Sequence, residues 1–500
     1  MEWVGYSWLI EHFSLPVLDL CQAGQLSSGR EVVLLGLSER TAVTFPSRLR
    51  PEPTWQGHLL FALKHEGPNL AVLKALFGRV GETAMTELVR QAPYSVYVRR
   101  LWFLYEYLMG VELPLQPLRS GNYDLVLPPE EFLCLSAERS WRARRQRLLC
   151  NLPGDAVYCP LVRLSPVIRK WLQRNLEREV HERLAEWPAE LLCRAGDYLY
   201  RKETKASYAI ERQTPSQRRA AVFMAVLSEA GRGCLDKRRL VSLQNCIVEE
   251  RYAEQDYRTE QVYVGQTLAP GREHIHFVGL RPQDVPTFME HYLETFARLV
   301  EDRTCDTIIL AAVLSFSLVF FHPFNDGNGR LHRYLMHHIL ALRGFSPEQV
   351  IFPVSAILLK RPQLYDSMLE SFSRRLMPML NYRLDANGVM TVLTDSADFY
   401  RYLDFTPIVE TFFAVVEETL HQELLPELGY LRSWERIRAR MRDVVDMPER
   451  QARQFILFTQ QNRGHFPKGR RSSFPDLSDE EVETLADIIR EELFGESPNP

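Results

Sequence analysis

The chain has 500 residues, a net charge of −4, and is 46% hydrophobic and 25% charged. This is ordinary globular composition, ample for sizeable cores, and its charge balance calls for neither a nucleic-acid nor a membrane partner. The eight cysteines are scattered without a CxxC pair or zinc spacing, which predicts reduced thiols in a cytoplasmic protein.

The N-terminus, MEWVGYSWLIEHF, places Glu2 and no basic region before its apolar residues, so no signal peptide is expected. Residues 1–195 mix short apolar runs (VVLLGL, 32–37) with helical patterns such as HLLFALKHEG. They predict a mostly helical region to which no chemistry is assigned. Pro114, Pro117 and Pro128–Pro129 read as breaks, followed by the basic stretch SWRARRQRLL,. The block 200–380 begins with helical patterns. Its segment 256–278 is rich in β-formers: Tyr257, Val262, Tyr263, Val264 and Ile275 to Val278, parted by Pro270–Gly271. That pattern predicts a hairpin. The uncharged run from Thr307 to Phe321 is too short for a bilayer span and predicts a buried core helix,. After Leu384, DANG reads as a turn-rich join; 390–475 is predicted helical, with a winged-helix-like module as a variant. An acidic helix and tail follow at 476–500, with a capping box at Ser478 and Glu481,. The fold class is mainly α with small β elements.

The string FFHPFNDGNGRLHRYLMHHIL follows the apolar helix and runs straight into another. Gly327 and Gly329 let backbone N–H groups approach phosphate oxygens. The helix beginning near Asn328 turns its free amides and positive dipole end to the same place. Arg330 and Arg333 share one face there, electrostatically misplaced unless an anion is present. Asp326 offers the single hard oxygen that suits Mg²⁺ shared with substrate phosphates. His322 is suited to take a proton near neutral pH. Phe324 reads as a core anchor. His338 reads as a packed polar group, and His332, His337 and His338 lack the acidic or thiol partners of a zinc site.

Residues His322 to Arg330, with Arg333, resemble the Fic signature HPFx(D/E)GNGRxxR at every specified position. The resemblance implies a Fic/Fido helical core over 200–380 with a hairpin flap, flanked by largely helical regions. It implies a protein adenylyltransferase using Mg-ATP, with His322 as base. Asp326 would hold Mg²⁺, Gly327, Asn328, Gly329 and Arg330 the phosphates, and Arg333 the γ-phosphate. The target would be a Ser, Thr or Tyr hydroxyl of a protein, the chain itself included, held along the flap at Tyr257, Val262, Tyr263 and Val264.

Upstream, Ser207-Tyr208-Ala209-Ile210-Glu211 resembles the family's inhibitory motif (S/T)xxxE(G/N), within a helix at 203–213. Ser207 and Glu211 lie one turn apart on one face. By resemblance Glu211 pairs with Arg333, a carboxylate standing where a phosphate would. Tyr208 replaces a serine, and Arg212 the usual Gly or Asn. Alternatives are a Fic enzyme using another nucleotide or removing AMP, and a nucleotide-sensing regulator. In the latter, 431–471, with eleven Lys/Arg against four acids, would bind DNA. A homodimer stays open; no membrane partner is expected.

Overall fold

The computed structural model describes residues 2–27, 33–37, 40–269, 272–348, 350–385 and 387–495. Helices dominate, as the patterning predicts. At the centre stands Thr307–Phe321, every residue of which is buried. Such a helix, apolar all round, is stable only when other helices cover each face. Val285–Glu301, Asn328–Leu342 and Thr406–Thr419 pack against it. Asp306 starts it, its carboxylate accepting from the backbone N–H groups of Ile308 and Ile309 at 2.9 and 3.0 Å,.

Helix Ala189–Ile210 passes over the outer side of this centre, against Val354–Lys360, Gln217–Ser228 and Leu425–Val444. It buries Glu203, Thr204 and Ser207 along with Leu192, Leu199 and Tyr208. A polar inner face is unusual for a packed helix and reappears below.

The predicted hairpin forms from Tyr263–Ala269 and Arg272–Val278, antiparallel, with register shifts at Val264/Gly265 and Thr267/Ala269. Its Pro270–Gly271 turn lies outside the described residues. A second hairpin, Tyr382–Leu384 with Met390–Val392, closes around Asp385, whose carboxylate accepts from Asn387 N and Val389 N, each at 2.8 Å. The turn-rich join after Leu384 therefore lies between two paired strands. Three-residue strands are too short to leave a period-two signal.

The N-terminal region has a separate core around Leu59, Leu73, Phe77 and Trp102. Beside its helices lie two small sheets. One has the strand order Glu2–Trp3, Gln22–Ser27, Arg40–Pro46, Val33–Leu37; the other joins Asp124–Leu125, Leu148–Cys150 and Trp141–Ala143. The apolar run at Val33–Leu37 fits a strand or a buried helix turn equally from sequence, and strand pairing decides it,. Toward the C-terminus, Leu425–Val444, Glu449–Gln461 and Asp479–Phe494 enclose a third core around Ile437, Phe455 and Ile489. Both halves of the Ser478/Glu481 capping box are made. Within 390–475 the only strand among the described residues is Met390–Val392, which pairs with Tyr382–Leu384, and the rest is helical or irregular. No helix among the described residues is long and apolar enough to cross a membrane.

Candidate active site

His322 ends the central helix in the left-handed conformation, φ 54°, ψ 60°. Its Nδ1 lies 3.0 Å from the carbonyl of Val319. A carbonyl can only accept, so Nδ1 carries the proton and Nε2 keeps a free lone pair. The ring is half-buried, and burial holds its pKa down to about 4,. At neutral pH it is an uncharged imidazole.

From there the chain turns tightly into Asn328–Leu342. Phe324 is fully buried and meets Tyr257 at 5.8 Å between ring centroids. The amide of Asn328 closes the loop, accepting from Phe324 N at 3.1 Å and donating to Phe324 O at 2.7 Å. Its side chain thus shapes the loop instead of facing a ligand, which leaves only its backbone N–H for the predicted phosphate contact. Gly327 has φ 90°, and a Cβ there would come within 2.8 Å of Val248, so the turn requires glycine.

The two arginines share the expected face and are buried, 1% and 0% exposed. Arg330 donates to Ile247 O at 2.9 Å and to Asp326 Oδ1 at 3.1 Å, over the face of Tyr208 at 5.4 Å,. Tyr208 is thereby a seat for Arg330, and its hydroxyl donates to the same Ile247 carbonyl at 3.3 Å. Asp326 Oδ1 also accepts from Gly327 N at 2.6 Å. Its side chain is 40% exposed, and Oδ2 has no hydrogen-bond partner among the described residues. One tethered, partly open carboxylate is the donor set that fits Mg²⁺ shared with phosphates.

Arg333 donates from Nε to Ser207 Oγ at 2.8 Å, and from one terminal nitrogen to Ser207 O at 2.9 Å and Glu211 Oε1 at 2.8 Å. Glu211 also lies against the helix start: a Cβ on Gly329 would fall 2.2 Å from its Oε1. Burial opposes ionisation of Glu211, but the Arg333 charge and hydrogen bond outweigh it and hold the carboxyl below its usual range,. About a third of the side chain, 35%, stays exposed against 1% for Arg333.

Arg212 has φ 56°. Its N–H bonds Ala209 O at 2.9 Å, and Gln213 N bonds Tyr208 O at 3.0 Å. This is a left-handed helix stop, which explains the Gly or Asn usual there and shows that Arg adopts it.

The predicted flap residues divide. Val262 and Tyr263 are partly exposed and Val264 is 48% exposed. Tyr257 precedes the strands and is buried at 7% under Phe324, so it anchors the loop and offers no surface to a target. Sequence reading missed Arg258, which donates from Nε to His322 O at 2.6 Å. It also missed Glu254, which accepts from Asn325 N at 2.8 Å, and Glu203. Glu203 Oε2 accepts from Ser355 N at 2.9 Å, and its Oε1 lies 2.8 Å from His337 Nε2 without hydrogen-bond alignment. The only available signal was a charged residue at a period-four position behind Ser207, or directly before the strand run. His338 accepts from Gly231 N at 3.1 Å, and His332 packs edge-on to Phe316 at 4.5 Å. These histidines are packed polar groups. Among the described residues, the only three-residue grouping that could hold a metal ion is elsewhere, at Asp155, His291 and Glu294. A cleft of about 1180 Å³ beside Glu66, Arg163 and Arg374 is lined by none of the loop residues.

Residues 234–340 match the Fic/DOC family. The chain is 35% identical over 98 residues to "Protein adenylyltransferase Fic" of Drosophila melanogaster, covering 20% of this chain and 17% of that protein. It is 34% identical over 92 residues to the protein of the same name from Aedes aegypti, covering 18% and 16%. The match thus spans less than a fifth of those relatives' length. A solved Fic domain-containing signaling protein from Bacteroides thetaiotaomicron is similar over 51% of this chain and 96% of that one, at 17% identity and a TM-score of 0.36. The residues that match the Fic/DOC family run from just before the helix Lys237–Ile247 through the hairpin to the loop helix.

Proposed function

We propose that the chain transfers AMP from Mg-ATP to a Ser, Thr or Tyr hydroxyl of a protein target, and that Glu211 restrains it. One observation carries this reading. A neutral imidazole with a free Nε2 stands at the start of a glycine-bearing loop whose following helix buries two arginines, one of them, Arg333, already holding a carboxylate. The relatives named as adenylyltransferases, similar over this segment, support it.

In the reaction the target oxygen attacks the α-phosphorus of ATP, the bond to the bridging oxygen of the β-phosphate breaks, and pyrophosphate leaves. The hydroxyl proton passes to Nε2 of His322. Gly327, Gly329 and the free amides of the helix start would receive the phosphates, with Arg330 and Arg333 behind them. Mg²⁺ held by Asp326 would supply neutralisation of the charge developing on the phosphates. Val262, Tyr263 and Val264 offer an exposed strand along which a target segment can add by backbone hydrogen bonds. Glu211 competes with phosphate for Arg333, so transfer is slow until it swings away.

The test compares wild type, Glu211→Gly and His322→Ala, incubated with Mg-ATP and read by intact and peptide mass. AMP adducts are expected on the protein itself, more with Glu211→Gly and none with His322→Ala. Absence of adducts on any variant and on lysate proteins would sink the proposal.

The DNA-binding reading finds little support. Arg438 pairs with Glu449, Arg440 with Glu491 and Glu492, and Arg471 with Asp479. Glu491, Glu492 and Asp479 lie outside 431–471, so part of the basic excess of that stretch is compensated from the neighbouring helix Asp479–Phe494.

A further inference from the structure

Arg258 is 2% exposed, yet no carboxylate among the described residues lies within ion-pair distance of it. A buried cation without a counter-ion is expensive unless its donors are all used. Here four side-chain hydrogen bonds offset that cost, all of them to backbone carbonyls. Nε donates to His322 O at 2.6 Å, and one terminal nitrogen donates to Glu260 O at 2.6 Å. The other donates to Leu280 O and, at 3.4 Å, to Phe321 O. The backbone N–H of Arg258 adds a bond to Pro323 O at 2.9 Å.

These acceptors have a pattern. Phe321 and His322 close the central helix, where the last carbonyls have no helical N–H partner and a cation is favoured. Glu260 and Leu280 stand just outside the two strands of the hairpin, one on each leg. A single planar fork therefore joins both legs of the hairpin to the helix end that bears His322, which a lysine's point charge cannot do. On the other side Gly279 leaves room: a Cβ there would come 3.1 Å from His322 Cβ and 3.2 Å from the Arg258 guanidinium. His322 itself sits in the left-handed region, which an L-residue leaves unless its neighbours hold it,.

We infer that Arg258 is a positioning residue, which holds the His322 backbone in its left-handed turn so that Nδ1 stays on Val319 O and Nε2 faces the loop. The inference goes beyond the signature and rests on the proposed transfer reaction for its kinetic consequence, though not for its structural one. Phosphate-contacting groups lie further along the loop, so loss of Arg258 changes turnover and leaves nucleotide binding in place.

The experiment introduces Arg258→Lys and Arg258→Gln into the Glu211→Gly protein. It measures kcat and KM for Mg-ATP and records nitrogen-15 spectra of labelled histidine, with the His322 signals assigned by their absence in His322→Ala. Expected are a kcat lower by about tenfold or more, a KM for ATP within about twofold, and loss of the Nδ1–H signature of His322. Folded variants that keep both kcat and that signature would overturn the assignment, as would a loss confined to KM. If neither variant folds, Gly279→Ala presses on His322 and Arg258 from the opposite side; the same kcat and tautomer changes are expected, and their absence counts against the inference. Should Glu211→Gly transfer no AMP at all, the functional reading fails, and the tautomer spectra still decide the role of Arg258.

Discussion

Glu211 reaches Arg333 across 2.8 Å while Ser207, one turn earlier on the same helix, holds that arginine by both its hydroxyl and its carbonyl. The guanidinium is buried and saturated from one side, yet the carboxylate is still partly open. On the proposed reading this is the contact that phosphate would displace. Its strength is set by how much of Arg333 the glutamate itself must satisfy.

Ser207→Ala removes the acceptor of Arg333 Nε and leaves a buried donor unpaired, so stability is expected to fall by about 1–3 kcal/mol. AMP incorporation should rise, but less than in Glu211→Gly, since Glu211 and the Ser207 carbonyl remain. Urea unfolding and adduct mass read the two effects separately. Activity equal to Glu211→Gly would mean that the hydroxyl, not the glutamate, sets the restraint.

Gly329→Ala puts a methyl where Glu211 Oε1 now lies. It should dislodge Glu211 and also keep phosphates from the helix start. Adduct formation is therefore expected to be low with Gly329→Ala alone and to stay low when Glu211→Gly is added. Recovery in the double variant would show that the loop does not need close backbone approach at this position.

Arg212 occupies a left-handed position at about 1 kcal/mol, which glycine would avoid,. Arg212→Gly is expected to stabilise the fold by up to about that amount and to lower basal adduct formation, because the helix end carrying Glu211 is better formed. A thermal melt together with adduct yield checks both. A higher adduct yield with unchanged stability would contradict the account.

Burial depresses His338 to about 4 and His332 to about 3, from 6.5. The unfolded chain therefore binds more protons between these values, and stability is full above about pH 6.5 and falls as pH drops toward 4, by ~1.4 kcal/mol per pH unit for each histidine. His338→Gln can still accept from Gly231 N and no longer titrates. Its chemical-denaturation free energy should approach or exceed that of wild type on going from pH 7 to pH 5. An unchanged difference between the two proteins across that range would exclude the coupling. His322 is likewise held near 4, so transfer by Glu211→Gly should not lose its base between pH 7 and pH 5.5, unlike an exposed histidine.

The loop from His322 to Arg333 was legible because its chemistry is local. Two glycines, a carboxylate, two arginines and a histidine occupy one turn and one helix start, and helical spacing alone puts Arg330 and Arg333 on one face. The same holds for the central helix, whose unbroken apolar run admits no other burial, and for the hairpin and the final capping box. The N-terminal sheets and the hairpin at 382–392 were not legible. Their strands are short, and a parallel pair such as Gln22–Ser27 with Arg40–Pro46 leaves no local turn signal,.

By itself, then, the sequence determined the glycine turn after the central helix, the shared face of Arg330 and Arg333, and the one-turn spacing of Ser207 and Glu211,. Only the tertiary structure decided that Ser207 shares Arg333 with Glu211 through both its hydroxyl and its carbonyl, that Tyr257 turns inward beneath Phe324, and that Arg258 joins the hairpin to His322. The division has a physical cause. Helical periodicity and turn chemistry are written in neighbouring residues, whereas pairing of a buried charge depends on which distant backbone or carboxylate the packed helices bring within hydrogen-bond reach.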